Sequence, residues 1–211
     1  MARGPLTAAL LICMFAAGSC CLAQDNEPPA PAGVAGSGVT TPSAFTPLTQ
    51  PERTRRYLAS LINPESILRA AAGAGLSQAT NTPSEWGQGA EGYGYRFANS
   101  YGQHFIRQTL IYGASSILGE DNRYFASERT GAGPRMMYAI ESTFLARRAD
   151  GTRHLSYSRI GAVVATAFIS REWQPHSTNG AQNAAYSMGD VFGSEIGFNI
   201  AREFLPKVFR H

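Results

Sequence analysis

The chain has 211 residues, and its 18 Lys and Arg against 15 Asp and Glu give a formal net charge of +3. This excess is too small to predict a nucleic-acid-binding protein, which needs a clustered basic surface. The length is sufficient for one hydrophobic core, even after a leader of ordinary size has been removed.

The amino terminus has the composition of a secretory signal. Arg3 precedes the apolar run Leu6–Ala17, and small residues lead to a polar break after Ala23. The run is shorter than the roughly 20 residues of a membrane-spanning helix. We therefore predict a signal peptide over residues 1–23 and a location in the periplasm or at the outer membrane. A lipoprotein anchored through Cys20 is the alternative, but the usual leucine three residues before the cysteine is absent.

All the cysteines of the chain belong to this leader, at Cys13, Cys20 and Cys21. A mature chain that begins at Gln24 therefore contains no disulfide, no thiolate metal site and no cysteine nucleophile. The next segment, residues 24–51, contains six prolines among small and polar residues. It has too few large apolar side chains to offset the entropy of ordering, so we predict a disordered spacer. The folded domain is expected over residues 52–211.

Three helix starts follow in the sequence. Thr49 and Glu52 form a capping-box pattern, and the Asn63-Pro64-Glu65 pattern starts a second helix that Gly73 and Gly75 are expected to end. Thr82-Pro83-Ser84-Glu85 is the third start, and it leads into a long helical pattern that ends near Leu118.

The remaining pattern is also helical. A fourth helix is predicted from about Pro134, a fifth over Tyr157–Trp173 and a last one over Ala181–Phe204. The two-residue periodicity of a β-strand is scarce in this sequence, but it occurs over Arg153–Ser158, where a short strand is expected. We therefore predict an all-α fold, a compact helical bundle.

Small residues repeat every four positions along three of these helices. Glycine costs about 0.5–1 kcal/mol in a helix relative to alanine, so such a line predicts close contact with another helix. The predicted helix-contact residues of this glycine-zipper-like pattern are Ala90, Gly94, Ala98 and Gly102 in the long helix and Gly189, Gly193 and Gly197 in the last helix. A third stripe consists of Ser158, Ala162, Thr166 and Ser170.

Two interpretations of the stripes remain open. The stripes could pack against other helices of the same bundle. Alternatively, they could remain exposed and contact a second copy of the chain, an envelope partner or a membrane surface. Charged residues such as Asp190 and Glu195 interrupt the helices, and no apolar segment after residue 24 approaches 18 residues. A conventional membrane span is therefore not predicted.

The candidate chemical sites are weak. Gly87-Gln88-Gly89-Ala90-Glu91-Gly92 has the spacing of a dinucleotide-binding loop, but a helix start rather than a strand precedes it, so no cofactor is predicted. The four histidines show no metal-ligand spacing, and no serine has the surroundings of an activated nucleophile. Catalytic and metal residues are therefore not assigned.

Nine charged residues lie within or beside the apolar stripes, and buried charges need partners, so some of the nine should pair across helices. They are Glu85, Glu91, Arg96, Arg107, Glu141, Arg159, Glu172, Glu195 and Arg202. The alternative to a purely structural network is a polar pocket for an anionic ligand. The candidate ligand-binding residues of that pocket are Glu85, Glu91, Arg96, His104 and Arg107.

The run from Pro83 to Phe97 reads PSEWGQGAEGYGYRF. It resembles the Glu-Trp-Gly-Gln-Gly-x-Glu-Gly-Tyr-Gly-x-Arg motif of a family of uncharacterised exported bacterial proteins, whose last helix is glycine-rich and ends near Glu-Phe, here Glu203-Phe204. The resemblance covers most of the chain after Pro51. It implies a single exported domain and no assigned activity.

Two functional hypotheses follow. The first is a noncatalytic cell-envelope protein that acts through helix packing, assembly or ligand binding. The second is an unrecognised envelope enzyme with a polar pocket near Glu85, Glu91, Arg96 and His104.

Overall fold

The computed structural model describes residues 45–205, and within this range the chain forms six α-helices and one small antiparallel sheet. The helices are α1 (Gln50–Ile62), α2 (Pro64–Ala79), α3 (Gly89–Leu118), α4 (Ala132–Phe144), α5 (Tyr157–Ile169) and α6 (Ala181–Phe204). The predicted all-α bundle is confirmed. The expected signal peptide, Cys20 and most of the expected spacer lie outside the described residues.

The first two helices begin where the capping patterns predict. The Glu52 carboxylate accepts hydrogen bonds from the backbone N–H and the hydroxyl of Thr49, both at 2.8 Å. The Asn63 side chain accepts from the backbone N–H of Ser66 at 2.7 Å. The predicted end of α2 at Gly73 and Gly75 is wrong. The helix continues to Ala79 because its alanine face packs against α3, where tertiary contact outweighs the low helix propensity of glycine.

The third start produces a shorter element than expected. Ser84–Trp86 forms a single 3₁₀ turn, and α3 begins only at Gly89. Gly87 and Gly89 both have positive φ angles, +66° and +86°, which interrupt the helical path between the turn and α3. The predicted end at Leu118 is confirmed, and Gly119 closes the helix in the left-handed conformation.

The end of α3 is tied to the start of α5 by Glu120. This carboxylate is 1% exposed and accepts from the backbone N–H groups of Tyr157 and Ser158 at 3.0 and 2.9 Å. An anion at a helix N-terminus satisfies free N–H groups and interacts favourably with the helix dipole. Between α4 and α5, strand β1 (Leu145–Arg147) pairs with β2 (Arg153–Leu155), so the expected strand is confirmed over half of its range.

The folded part begins slightly before residue 52. The Phe45 ring lies edge-on to Phe125, with centroids 5.8 Å apart, and the Arg147 guanidinium lies 5.6 Å from the Phe45 ring centre. Arg123 also donates to the carbonyl oxygen of Thr46 at 2.9 Å. The last residues of the expected spacer are therefore part of the domain.

The interior of the bundle consists mainly of small residues. Helix α3 packs against α1, α2 and α5, and α6 packs against α4 and α5. Of the ten buried hydrophobic residues within residues 45–205, seven are alanines, and the other three are Leu61, Tyr138 and Val163. Large apolar side chains lie instead on the outside, among them Ile62, Leu68, Ile117, Phe168 and Tyr186. None of the helices within residues 45–205 has the length and apolarity needed to cross a membrane.

Candidate functional site

The structure separates the polar residues that the sequence grouped. Arg96 is 1% exposed, and its guanidinium is surrounded by acceptors. Its nitrogens donate to the carbonyl oxygens of Thr82 at 3.0 Å, Pro83 at 2.8 Å and Gly87 at 2.8 Å, and to the Gln78 side chain at 2.6 Å. Since these acceptors already occupy the guanidinium, Arg96 organises the loop before α3 and is not available to a ligand.

Gly92 allows this arrangement. A Cβ atom at this position would lie 2.5 Å from the carbonyl oxygen of Gly87 and 2.7 Å from that of Trp86, too close for any side chain. A 3₁₀ turn, and not a strand, precedes the glycine-rich segment. The Gly-x-Gly-x-x-Gly spacing therefore serves close packing of this loop on α3 and lacks the geometry of a dinucleotide site.

The remaining candidates have separate partners. Glu85 accepts from the Ser177 hydroxyl at 2.8 Å, Glu91 accepts from the Tyr95 hydroxyl at 3.3 Å, and a His104 ring nitrogen lies 2.9 Å from the Ser60 carbonyl oxygen. Burial lowers the pKa of His104, which favours the neutral ring at pH 7. Among the described residues, no hydrogen bond or ion pair joins any two of the five predicted ligand-binding side chains. They do not form one pocket.

Arg107 belongs to a different group, which we call the arginine cluster: Arg69, Arg107, Arg159 and Arg202 around Glu195. It lies among α2, α3, α5 and α6. Burial lowers the pKa of Arg107, of Arg69 and of Arg159, and the charge of Glu195 opposes that shift in each. The guanidinium of Arg159 is 3.8 Å from the Glu195 carboxylate, so one of the expected pairings across helices is confirmed.

A small crevice adjoins the cluster between α3, α5 and α6. Its lining consists of Gln103, Arg107, Val163, Thr166, Ala167, Ser187 and Val191. Two of its polar atoms, Arg107 Nε and Thr166 Oγ1, are buried and have no hydrogen-bond partner among the described residues. Of the residues that the sequence placed in a ligand site, Arg107 alone lines this crevice.

Part of the arginine cluster is recognisable from the sequence. Arg107, Arg159, Glu195 and Arg202 were recognisable as charges within apolar stripes. Arg69 was missed, although its spacing of four residues from Glu65 is the signal of an ion pair within a helix, and the two side chains do form one. Thr166 was identified only as a small packing residue. Its free hydroxyl is a feature that only the packing of α5 against its neighbours reveals.

The three small-residue stripes have different environments. Ser158, Ala162, Thr166 and Ser170 on α5 are all buried, so this stripe does serve contacts within the chain. On α3 and α6 a Cβ atom built at Gly94, Gly102, Gly189, Gly193 or Gly197 would meet no atom within 4 Å. Ala90 and Ala98 are exposed as well. Within residues 45–205, these glycines are therefore not in close contact with a neighbouring helix.

Within residues 45–205, no group of His, Cys, Asp or Glu is arranged to hold a metal ion. No protein-family model matches the chain. Neither a curated protein nor a solved structure is similar to it.

Proposed function

We propose that this chain is a noncatalytic protein of the cell envelope, periplasmic or associated with the outer membrane, that acts by assembling with a second copy of itself. The interface would be the α6 face, which we define as Ala181, Ala185, Gly189, Gly193 and Gly197. The observation that carries the proposal is that this face is exposed and that a Cβ atom at each of its glycines would meet no atom of residues 45–205 within 4 Å.

The three glycines of the α6 face lower the stability of this helix. Together they cost α6 roughly 1.5–3 kcal/mol relative to alanine. Among the described residues, a Cβ atom at each position would meet nothing within 4 Å, so alanine would fit and no close contact compensates for the cost. A second helix that packs directly on the backbone would supply the missing contact, because only glycine allows helix axes to approach so closely.

The composition of the surface and core supports the same proposal. The core is small and rich in alanine, whereas Tyr186 and Phe204 on α6 are 55% and 40% exposed. Asp190 is the only exposed charged residue of this helix. A face with few charges and with flanking aromatic side chains has the features of a protein interface. The same residues can face each other across a two-fold axis, so a second copy is a sufficient partner.

The test is self-association of the purified full chain, measured by sedimentation velocity over a range of concentrations. Gly193→Leu places a large side chain on the α6 face at a position where a Cβ atom would meet no described atom within 4 Å. The monomer should therefore fold normally, while the dissociation constant rises at least about tenfold. Gly161→Leu is the matched control, because Gly161 is an exposed glycine of α5 with equally open surroundings. A chain that stays monomeric up to about 100 µM, or equal effects of both substitutions, would contradict the proposal.

The location is tested separately, by fractionating the native cell envelope and measuring the intact mass of the chain. A product that begins at Gln24 without added lipid supports an ordinary signal peptide. A product that begins at Cys20 with acyl mass would contradict cleavage after Ala23 and make the spacer a membrane tether.

A further inference from the structure

Helix α1 packs on α3 through one of its sides. The Tyr57 ring stacks on Tyr112 with ring centres 4.7 Å apart, and the Leu61 carbonyl oxygen accepts from the Tyr101 hydroxyl at 2.7 Å. Leu61 is also the buried residue of this helix. The side of α1 that is turned away from these contacts is therefore free to meet something else.

That outer side of α1 combines apolar residues with an arginine. Arg55, Leu58, Ala59 and Ile62 follow the i, i+3, i+4, i+7 spacing of one helix face, and all four are exposed. We call this set the α1 face. Leu58 is 54% exposed and Ile62 is 74% exposed. A single exposed aliphatic residue is ordinary, but two on successive turns beside an arginine form an amphipathic surface.

The exposed apolar surface continues beyond the end of α1. Ser66 donates to the carbonyl oxygen of Ser60 at 2.8 Å, so the first turn of α2 lies close to the last turn of α1. The next two residues of α2, Ile67 and Leu68, are 43% and 68% exposed. Large aliphatic side chains of two consecutive helices are thus exposed near one turn.

The charges of α1 favour an anionic partner. The helix contains three arginines and one glutamate, which gives it a net charge of +2. Arg55 and Arg56 are exposed, and neither forms a hydrogen bond or an ion pair with a side chain of residues 45–205. The glutamate, Glu52, is held by its hydrogen bonds to Thr49. A second copy of the chain would bring two more arginines to this face, where like charges repel.

We infer that the α1 face binds the surface of an anionic phospholipid bilayer, with Leu58 and Ile62 among the lipid chains and Arg55 and Arg56 at the phosphate groups. A basic amphipathic helix in the plane of a membrane combines these features. The aliphatic part of an arginine can lie along the apolar surface while its charge stays at the headgroups. Helix α1 is also the part of the folded domain nearest in sequence to the predicted export signal.

The test measures binding of the processed chain, with its leader removed, to lipid vesicles by co-sedimentation. Vesicles of phosphatidylcholine with about one-third phosphatidylglycerol should bind at least about tenfold more tightly than pure phosphatidylcholine, because two arginines contribute. Added salt should weaken binding to the anionic vesicles, since it screens exposed charges. All variants have the same amino terminus, so any contribution of that end is equal in each.

Variants of the α1 face separate the charge from the apolar contact. Arg55→Gln should weaken binding to anionic vesicles about fivefold, the effect of one charge near such a surface. Leu58→Gln combined with Ile62→Gln should weaken it at least about tenfold, and the fold should persist because both side chains are exposed. The matched controls, Arg148→Gln and Met137→Gln, make comparable changes at exposed positions outside α1 and should leave binding unchanged.

A fluorescent label identifies the face that reaches the bilayer. A chain that begins at Gln24 contains no cysteine, so Ala59→Cys and Ala149→Cys each supply a single labelling site at an exposed position. On addition of anionic vesicles, a polarity-sensitive label at position 59 should enter a less polar environment, whereas one at position 149 should not.

The inference is overturned by the absence of binding, by equal binding to both kinds of vesicle, or by a spectral change at position 149 alone. Sedimentation velocity provides a further check on the double variant of Leu58 and Ile62. Weaker self-association of that variant would overturn the inference as well, and it would assign the α1 face to a second copy of the chain. The α6 face belongs to another helix, so failure of either proposal leaves the other intact.

Discussion

Gly92 and Gly94 lie in the same helix, yet the structure predicts opposite effects when each is replaced by alanine. At Gly94 the new Cβ would meet no atom within 4 Å. Alanine is the better helix former by about 0.5–1 kcal/mol, so Gly94→Ala should stabilise the chain by that amount. For a domain of this size the melting temperature should rise by about 1–4 °C.

At Gly92 a steric clash with the loop outweighs the gain in helix propensity. The Cβ would lie 2.5 Å from the Gly87 carbonyl oxygen and 2.9 Å from an Arg96 nitrogen, so the loop must move away from α3. Overpacking of this kind costs about 1–3 kcal/mol, and each hydrogen bond of Arg96 that breaks adds about 1.5–3 kcal/mol. With the propensity gain subtracted, Gly92→Ala should lose about 2–4 kcal/mol, which lowers the melting temperature by about 5–12 °C.

Urea unfolding, followed by circular dichroism and by tryptophan fluorescence, measures both variants under one condition. The chain has two tryptophans, Trp86 and Trp173, and Trp173→Phe in both variants leaves Trp86 as the only tryptophan. Its fluorescence then reports on the loop itself, because this side chain belongs to the 3₁₀ turn that would be displaced. Equal stabilities of the Gly92→Ala and Gly94→Ala chains would refute the close approach of the loop to α3. It would also remove the structural explanation for the glycine-rich motif.

Three further predictions concern two carboxylates of α6, Asp190 and Glu203, and the amino-terminal boundary of the domain. Asp190 is exposed on α6, but the neighbouring protein atoms partly desolvate its carboxylate and raise its pKa above 3.8. The folded state therefore binds the proton more tightly, and stability should fall slightly as the pH rises above that value. Asp190→Asn should remove this part of the pH dependence in thermal scans from pH 4 to 7. Burial alone would raise the pKa of Glu203, but hydrogen bonds from Tyr124 and Arg135 lower it below 4.5, so its contribution is present above pH 4.5 and lost on acidification. Glu203→Gln should cost about 1.5–3 kcal/mol at pH 7 and flatten the acid limb of the stability curve, and an unchanged limb would contradict this role. Phe45→Ala should cost about 1–3 kcal/mol in urea unfolding, whereas no loss would show that the domain begins after this residue.

The sequence alone determined the class of the fold and most of its helices. Capping residues such as Asn63 and Glu52 act through their nearest neighbours, so their patterns predicted the first two helix starts. The four-residue repeats predicted the extent of α6, since periodicity is a local property of a helix. The position of Gly87 and Gly89 in left-handed conformations was not predicted, and the start of α3 was therefore expected too early.

Only the tertiary structure decided what the stripes and charges do. The α5 stripe is buried and the α6 face is exposed, although both have the same spacing, because their neighbours are set by the path of the whole chain. Arg96 and Arg107 are eleven residues apart on one helix, yet loop carbonyl groups enclose the first, and the second lines the crevice between α3, α5 and α6. Helical spacing fixes which residues share a face, but the partner of that face depends on segments distant in the sequence.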